Sequence, residues 1–437
     1  MSPGKVLIVT YYWPPSGGVG VQRWLHFARN IKKMGWEPII YTPENPQFEI
    51  RDAALEKMAD GLVVIKKPIW EPLSVFHKLT RNKEKNNVQQ GAVLEKSQTG
   101  WKDRMILWIR GNMFVPDPRV FWVRSSVAFL KEYVQREGIK VVITTGPPHS
   151  MHLIGLRLKR SQRSIKWIAD FRDPWSDWDV LKKFSTGRLA MNKHRRYERH
   201  VIEEADVVTT VSNRLAQTLA AKTRNERRVE VLANGIADDK RENLSVGRGA
   251  EDKFVIGYYG MLNELRDPVH FWRVLTALCE ENKFFAERLQ IRISGIISQS
   301  IRDALAENVQ LRDKVVFLGY IPHEKIFEEY RRCNVLLLLL NKSDNARWIL
   351  PMKFFEYLSA GRSILSLGPE DSDLGDAFQG NKIGEIMAPE DEEKQREFIL
   401  SNFEGRYVLM QEDYEKLLLR YSRNHQAYEL TKLLEKV

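Results

Sequence analysis

The chain has 437 residues, of which 43% are hydrophobic and 29% are charged, and its formal net charge is +11. This length exceeds what one hydrophobic core supports, so two domains are expected, and the composition excludes a disordered or fibrous protein. The longest strongly apolar run, residues 335–340, is far shorter than the roughly 20 residues of a membrane-spanning helix. Two cysteines without metal-ligand spacing and an N-terminus without a signal-peptide pattern predict a cytoplasmic protein.

Short apolar runs alternate with amphipathic helical stretches along the first half of the chain. The first run, residues 5–10, predicts a strand, and residues 21–34 predict the helix that follows it. Further strands are predicted at 35–41, 61–65, 140–145, 166–170, 205–211 and 229–232. Strands separated by helices indicate right-handed βαβ units and therefore a parallel sheet.

Residues 75–134 interrupt this alternation. Within them, residues 81–90 predict a loop, and residues 101–110 predict a helix with an aromatic and aliphatic stripe beside basic residues. The stripe consists of Trp101, Met105, Trp108 and Ile109, and the basic residues are Lys102, Arg104 and Arg110. Such a helix either lies at a membrane interface or packs on the sheet with its tryptophans in the core.

A hydrophilic stretch at 238–253 predicts a linker, after which the alternation restarts. The second series of strands is predicted at 254–260, 290–295, 314–319, 335–340 and 363–367. Two similar halves predict an α/β protein with two Rossmann-like domains facing across a cleft, and such folds bind ligands at the C-terminal ends of their strands. The predicted division is a first domain at 1–240, a linker at 241–253, a second domain at 254–412 and a long helix at 413–437.

Residues 351–368 carry the most informative pattern of the chain. Lys353 and Glu356 lie three residues apart and therefore share one face of a predicted helix, which Gly361 ends. The predicted helix starts at Pro351 and Met352, and the free N–H groups of its first turn, from Met352 onward, together with a lysine suit a diphosphate. A carboxylate one turn later suits the paired hydroxyls of a ribose. The alternative is an ordinary amphipathic helix with an exposed ion pair.

This pattern resembles the donor-nucleotide signature of the GT-B glycosyltransferases, in particular the large retaining family 4. The loop at 14–20, with Gly17 and Gly18, resembles the Gly-Gly loop that opens members of this family. Residues 172–175, Arg-Asp-Pro-Trp, resemble an element of bacterial members that act on amino sugars. The stretch 319–326, which includes Ile321, resembles the segment whose backbone flanks the nucleotide base.

The resemblance implies roles for several residues on the donor side. Arg266 and Lys353 would neutralise the departing diphosphate, Glu356 would hold the ribose, and the two glycines would allow close approach of the donor. The chain departs from the family in two places: Asp267 stands where many members have a lysine, and Trp348 stands where they have a first glutamate. Asn345 and the backbone amides of 349–352 are the candidates to replace that glutamate.

The acceptor side is predicted around two segments of the first half. His149 follows a strand and is a candidate proton acceptor for an acceptor hydroxyl, whereas His152 is assigned a structural role. Asp173 belongs to a cluster of aspartates and tryptophans that suits sugar binding. Asp177 and Asp179 also match the Asp-x-Asp metal motif of the other large glycosyltransferase fold, but the two-Rossmann layout argues against that assignment. We therefore expect no metal and no other cofactor.

The resemblance implies an enzyme that moves a sugar from a nucleotide-diphosphate donor to an acceptor hydroxyl with retention, in bacterial surface polysaccharide or glycolipid synthesis. It also implies that the helix at 413–437 crosses back to the first domain. One alternative is a GT-B epimerase or hydrolase of nucleotide sugars, which does not need a basic acceptor-side surface. Another is a non-catalytic basic protein that binds nucleic acid, although no recognised nucleic-acid-binding module is present.

The positive charge is concentrated in the first half. Residues 77–140 hold 13 basic and 6 acidic residues, and residues 157–200 hold 13 and 5, so these two segments contribute +15 and the remainder −4. Charge confined in this way predicts a polyanionic partner. We expect that partner to be an anionic membrane rather than nucleic acid. The protein would then lie on the inner face of the plasma membrane, where a lipid-linked or saccharide acceptor is modified.

Overall fold

The structure is a computed structural model, and it describes residues 4–46, 51–71, 101–223, 228–236, 244–247, 249 and 252–437. The predicted loop at 81–90 lies outside these residues. By its internal contacts the chain divides into two compact units, Met1–Ala233 with Gln426–Val437, and Asn234–His425. Each unit contains one sheet, and all the strand pairs in both sheets are parallel. The predicted α/β class is confirmed.

The first unit is built on a seven-stranded sheet with the order β3-β2-β1-β4-β5-β6-β7. The strands are β1 (Gly4–Val9), β2 (Trp36–Pro43), β3 (Val63–Lys67), β4 (Val141–Gly146), β5 (Lys166–Phe171), β6 (Val207–Thr210) and β7 (Val229–Val231). In the register of the sheet, Leu7 pairs with Ile39 on one side and with Val142 on the other. The central strands are apolar runs because helices cover a parallel sheet on both faces.

The helices of the first unit follow the predicted alternation. They are α1 (Val19–Lys33), α2 (Ala53–Met58), α3 (Trp101–Asn112), α4 (Trp122–Arg136), α5 (Ser150–Ser161), α6 (Asp179–Lys183), α7 (Arg188–Glu204) and α8 (Asn213–Ala220), with a 3-10 helix at Pro118–Phe121. Gly18 precedes α1 with a φ of 103°, a left-handed conformation that favours glycine.

The second unit is built on a six-stranded sheet with the order β10-β9-β8-β11-β12-β13. The strands are β8 (Phe254–Tyr259), β9 (Leu289–Ser294), β10 (Val315–Gly319), β11 (Val335–Leu339), β12 (Ser363–Leu367) and β13 (Gly384–Met387). The helices are α9 (Val269–Glu281), α10 (Lys283–Arg288), α11 (Gln299–Glu307), α12 (His323–Arg332), α13 (Met352–Ala360), α14 (Asp373–Phe378), α15 (Glu392–Phe403) and α16 (Gln411–Arg420), with a 3-10 helix at Asp344–Trp348.

The strand order places a possible binding position in each unit. In the first sheet β1 lies between β2 and β4, and in the second β8 lies between β9 and β11. In each unit the chain therefore builds the sheet first on one side of this strand and then on the other. Ligands of open parallel sheets bind beyond the C-terminal ends of the strands at such a point. The loops that follow β1, β4, β8 and β11 are accordingly the first places to look for functional side chains.

The end of the chain differs from its prediction. Instead of one helix at 413–437, the structure has α16 and a separate helix, α17 (Arg423–Lys436). The helix is broken between α16 and α17 because Ile236 pairs with the residues around Ser422. The N–H of Ile236 donates to the carbonyl of Tyr421, and the carbonyl of Ile236 accepts from the N–H of Arg423. These contacts also assign Asn234–Ile236 to the second unit, a few residues before the predicted domain end at 240. The apolar side of α17 lies in the core of the first unit.

Candidate active site

The first turns of α13 carry the lysine and the carboxylate that the sequence analysis identified. The Lys353 ammonium lies 2.8 Å from Oε2 of Glu356, so the predicted shared helix face is present. The helix begins after Pro351 and ends at Gly361, whose φ of 66° is left-handed. The side chains of Lys353 and Glu356 are 36% and 17% exposed. The pair is thus more enclosed than the exposed surface pair that was the alternative interpretation.

A tyrosine from the neighbouring helix joins this pair. The hydroxyl of Tyr330, on α12, donates to Oε2 of Glu356 at 2.6 Å and accepts from Lys353 at 2.8 Å. This contact could not be predicted, because Tyr330 precedes the motif by more than twenty residues. Behind it, the N–H of Tyr259 at the end of β8 donates to the hydroxyl of Tyr357, 3.3 Å away. These bonds hold α13 against the C-terminal end of the sheet.

Arg266 lies in the loop between β8 and α9. Its Nε donates to Oδ1 of Asn341 at 2.6 Å, and its Nη1 lies 3.4 Å from the carbonyl of Met261. Because Asn341 follows β11, the guanidinium is located beyond the ends of β8 and β11, where the strand order reverses. The next residue, Asp267, accepts from the indole of Trp272 at 3.0 Å, and burial raises the pKa of its carboxyl. Asp267 therefore holds the start of α9 and supplies no positive charge.

The loop after β10 contains the predicted base-flanking residue. Gly319 turns the chain with a φ of 66°, and its carbonyl accepts from the hydroxyl of Ser294 at 2.7 Å and from the N–H of Gly295 at 3.1 Å. Ile321 follows and is half-buried, whereas the adjacent Tyr320 is exposed. Ile321 thus lies just beyond the C-terminal end of its strand.

In the first unit a buried carboxylate connects α1 to the sheet. Asp170, at the end of β5, forms an ion pair with Arg23 at 2.9 Å. It also accepts from the indole of Trp24 and from the hydroxyls of Thr145 and Thr209, at 2.9, 2.9 and 3.0 Å. Arg23 in turn donates to the carbonyls of Leu232 and Ala233. No role was predicted for Asp170, whose only signal in the sequence is a carboxylate at the end of an apolar strand.

The glycine loop and the Arg-Asp-Pro-Trp segment are brought together beside α1. A Cβ added to Gly20 would lie 2.2 Å from Nη1 of Arg172, so this guanidinium packs directly on the first turn of the helix. Arg172 also donates to the carbonyls of Gly146 and Pro147. The first turn contains no acidic residue, and Gly18 makes no side-chain cap. Gly17 and Gly18 thus open a helix N-terminus beside a cation that the sequence analysis did not assign to the site.

His149 is stacked on Trp175, with ring centroids 4.7 Å apart and an interplanar angle of 4°. It is 4% exposed, and neither of its ring nitrogens has a hydrogen-bond partner among the residues that the structure describes. Burial lowers the pKa of His149 well below its ordinary value, so the imidazole is neutral at pH 7. It can accept a hydrogen bond but is a weak base. His152 is buried and contacts the hydroxyl of Thr144 at 3.0 Å.

The acidic residues after β5 have different surroundings. Asp177 pairs with Lys222 at 2.5 Å, and Asp179 pairs with Lys182 at 3.2 Å. The carboxylate of Asp173 has no hydrogen-bond partner in the described part of the chain, and burial raises its pKa. Across the described ranges, no group of three or more histidine, cysteine and acidic side chains is placed to hold a metal ion.

Comparisons with known proteins concern one segment of the sequence and the fold. Residues 95–235 match the family model described as a glycosyl transferase 4-like domain. No protein of curated function matches the sequence. Several solved structures resemble the whole chain. One is the apo lipopolysaccharide outer core galactosyltransferase WaaB, with 12% identity, a TM-score of 0.62, and coverage of 99% of this chain and 100% of that one.

Two others contain ligands. The HepE protein of Anabaena in complex with UDP is 10% identical with a TM-score of 0.60, covering 99% of this chain and 100% of that one. A trehalose-phosphate synthase of Burkholderia xenovorans in complex with glucose-6-phosphate is 12% identical with a TM-score of 0.61, covering the same shares. At these identities the likeness concerns the fold, and it confirms the predicted GT-B architecture of two α/β domains.

Proposed function

We propose that the protein is a glycosyltransferase, which transfers a sugar from a nucleotide-diphosphate donor to an acceptor hydroxyl with retention. The match of residues 95–235 to a glycosyl transferase 4-like domain and the GT-B fold support this proposal. The observation that carries the proposal is that two cations and a carboxylate lie at the C-terminal side of the second sheet. Arg266 lies beyond β8 and β11, and Lys353 and Glu356 lie on the first turns of α13. UDP in the HepE structure supports a nucleotide donor.

The donor side uses charge in two ways. Arg266 and Lys353 stabilise the negative charge that develops on the diphosphate when its bond to the anomeric carbon breaks. Glu356 accepts hydrogen bonds from the ribose, the N–H of Met352, which follows Pro351 at the start of α13, faces the diphosphate, and the backbone near Ile321 flanks the base. With two fixed cations and helix N-termini in place, the reaction does not require a metal ion. In the first unit, Gly17 and Gly18 leave the N-terminus of α1 open to the close approach of a ligand.

The acceptor side of the proposal rests on the first unit. As its oxygen bonds to the anomeric carbon, the acceptor hydroxyl passes its proton to the departing diphosphate oxygen. His149, neutral and with unpartnered ring nitrogens among the described residues, can hold that hydroxyl, and Asp173 can accept hydrogen bonds from the acceptor sugar. The acceptor is a lipid-linked or other saccharide of bacterial surface polysaccharide or glycolipid synthesis. The likeness to a lipopolysaccharide galactosyltransferase supports this assignment.

Incubation with a panel of UDP-, GDP-, ADP- and dTDP-sugars tests the activity. We expect release of one nucleoside diphosphate that rises when lipid-linked or soluble saccharides are added, and the same rate in EDTA, because Arg266 and Lys353 supply the positive charge. Loss of activity in EDTA with recovery in manganese would contradict the metal-free mechanism. Conversion of the donor to an isomer or free sugar without any effect of acceptor would favour the epimerase or hydrolase instead.

We also propose that the first unit binds anionic membranes through α7 and the end of α3. Five cations on α7 are exposed: Arg188, Lys193, Arg195, Arg196 and Arg199. The only acidic residue among 188–199 is Glu198, which is buried. Asn112 at the end of α3 accepts from the N–H of Gly187 at 2.7 Å, which brings the two helices together. No helix in the described ranges is long and apolar enough to cross a bilayer.

Exposed apolar side chains accompany this charge. Trp108 on α3 is 50% exposed, Leu189 on α7 is 88% exposed, and Met105 and Met113 are also exposed. The interfacial interpretation of the α3 stripe is therefore supported for Met105 and Trp108. Basic residues attract anionic headgroups, and apolar side chains of this size insert shallowly between them.

Co-sedimentation with vesicles checks the membrane proposal. We expect binding to phosphatidylglycerol vesicles that weakens as salt rises, and little binding to phosphatidylcholine. The double variant Arg195→Ala/Arg196→Ala loses two charges worth about 1 kcal/mol each, so its partitioning should fall roughly thirtyfold. The control Arg273→Ala/Arg288→Ala removes the same charge from the second unit and should bind as the wild type does. Equally weak binding of the wild type to both vesicles would favour a soluble acceptor.

A further inference from the structure

One tyrosine hydroxyl is bonded to both charged groups of the proposed donor site. The hydroxyl of Tyr330 donates to Oε2 of Glu356 at 2.6 Å and accepts from the ammonium of Lys353 at 2.8 Å. The ammonium is also 2.8 Å from the same Oε2, so the three polar groups form a closed triangle. No other residue in the described ranges bonds to the side chains of both Lys353 and Glu356.

The ring that carries this hydroxyl is held rigidly. Tyr330 is fully buried, and its ring packs edge-on against Tyr259, Phe327 and Tyr357 at centroid distances of 4.9, 5.4 and 5.2 Å. A close-packed ring in this setting keeps one orientation. The hydroxyl of Tyr330 is engaged with Glu356 and Lys353, which are themselves partly exposed. Any effect on ligand binding must therefore pass through Glu356 or Lys353.

The triangle determines which carboxylate oxygen remains available. Tyr330 and Lys353 both bond to Oε2 of Glu356, and within the described residues Oε1 of Glu356 has no hydrogen-bond partner. The ribose offers two neighbouring hydroxyls that need an acceptor. A carboxylate fixed beforehand loses less conformational freedom on binding than a mobile one.

The tyrosine also remains a donor throughout the physiological pH range. Burial and the neighbouring charge of Glu356 raise the pKa of Tyr330 far above its ordinary value, so the hydroxyl stays protonated. It can therefore donate to Oε2 of Glu356 across this range. The ammonium of Lys353 has three N–H donors, of which the triangle uses two, and the third remains for a phosphate oxygen.

We propose that Tyr330 is a positioning residue for the donor nucleotide, which fixes Glu356 so that Oε1 faces the ribose hydroxyls and keeps Lys353 beside it. The inference rests on the proposed function, because it assigns to Glu356 the ribose of a nucleotide donor. It goes beyond that function because it makes the recognition of the ribose depend on Tyr330, a side chain that does not touch the ligand. Tyr330 should thus affect the preference for a 2′-hydroxyl.

The test compares ribose and deoxyribose ligands in matched variants. Calorimetry measures the affinities of UDP and dUDP, GDP and dGDP, and ADP and dADP for the wild type and for Tyr330→Phe, Glu356→Ala and the double variant. The control is Tyr357→Phe, which removes a buried hydroxyl of the same aromatic cluster that bonds only to the N–H of Tyr259. We expect the wild type to prefer the ribose form of one base and the control to keep both its affinity and this preference.

For Tyr330→Phe we expect about tenfold weaker binding of the ribose form, since one hydrogen bond to a charged group is lost, and little change for the deoxy form. The double variant should bind no more weakly than Glu356→Ala, because Tyr330 acts through that carboxylate. A Tyr330→Phe variant that keeps the ribose preference, or weakens both forms equally, overturns the inference and leaves the proposed function standing. A wild type that binds none of the six nucleotides overturns the proposed function, and the inference with it.

Discussion

Replacing Arg266 by alanine is expected to lower the rate of sugar transfer by about 10² to 10³, with the protein remaining folded. The guanidinium is held by Asn341 and by the carbonyl of Met261 beyond the ends of β8 and β11. It is therefore oriented before the diphosphate charge develops, and this arrangement gives a fixed cation its largest effect on a transition state. Steady-state kinetics with the best donor measures the loss, and circular dichroism checks the fold.

Lys353→Ala should give a loss of similar size, because it removes the second cation while Tyr330 still holds Glu356. The matched control is Arg273→Ala, an arginine of the same unit whose exposed side chain pairs with Glu392. It should keep wild-type turnover. Wild-type rates in both Arg266→Ala and Lys353→Ala would remove the diphosphate assignment from this end of the sheet.

Asp170→Ala is expected to destabilise the first unit by about 3 to 5 kcal/mol, because it leaves the buried Arg23 without its counter-charge. The change also removes the acceptor for Trp24 and for two threonine hydroxyls. Urea unfolding followed by tryptophan fluorescence measures the free energy of unfolding. Ten of the twelve tryptophans lie in Met1–Ala233, so this signal reports mainly on the first unit.

The control for Asp170 is Glu204→Ala, which breaks the exposed pair with Arg160 and should cost at most about 1 kcal/mol. The pH dependence offers a second measurement. Burial alone would raise the pKa of Asp170, but Arg23 and the other donors lower it below the ordinary value. The stabilisation that Asp170 contributes is therefore complete when the pH is above 3.8, the ordinary pKa of this carboxyl. It is lost as the pH falls through the lowered pKa of the folded protein. Equal stability of Asp170→Ala and Glu204→Ala would show that Asp170 contributes little.

Much of the fold could be predicted because local chemistry and long-range structure agree. Strands such as β11 are apolar runs since a central parallel strand is buried on both faces, and Gly361 ends α13 because it can adopt a left-handed conformation. β13 was not predicted, because this short edge strand is buried only at its ends. The interruption before α17 was also not predicted, since pairing with Ile236, far away in sequence, causes it.

The candidate site divides in the same way. Lys353 and Glu356 were recognisable because helical spacing alone places them on one face. Tyr330 was not, because its contact depends on how α12 packs beside α13. The burial of His149 also required the fold, since its stacking on Trp175 joins two loops after different strands. His149 was identified as a candidate proton acceptor from its residue type, but its buried surroundings make it a weak base.

The packing of α17 has a consequence for the order in which the chain folds during translation. Ala427, Leu430 and Leu434 belong to the core that surrounds Trp24 and β1, yet the ribosome delivers them after the whole of Asn234–His425. At ordinary rates of synthesis those 192 residues take roughly ten to forty seconds. During that time the nascent first unit exposes the apolar surface that α17 will cover, and it is then most dependent on chaperones.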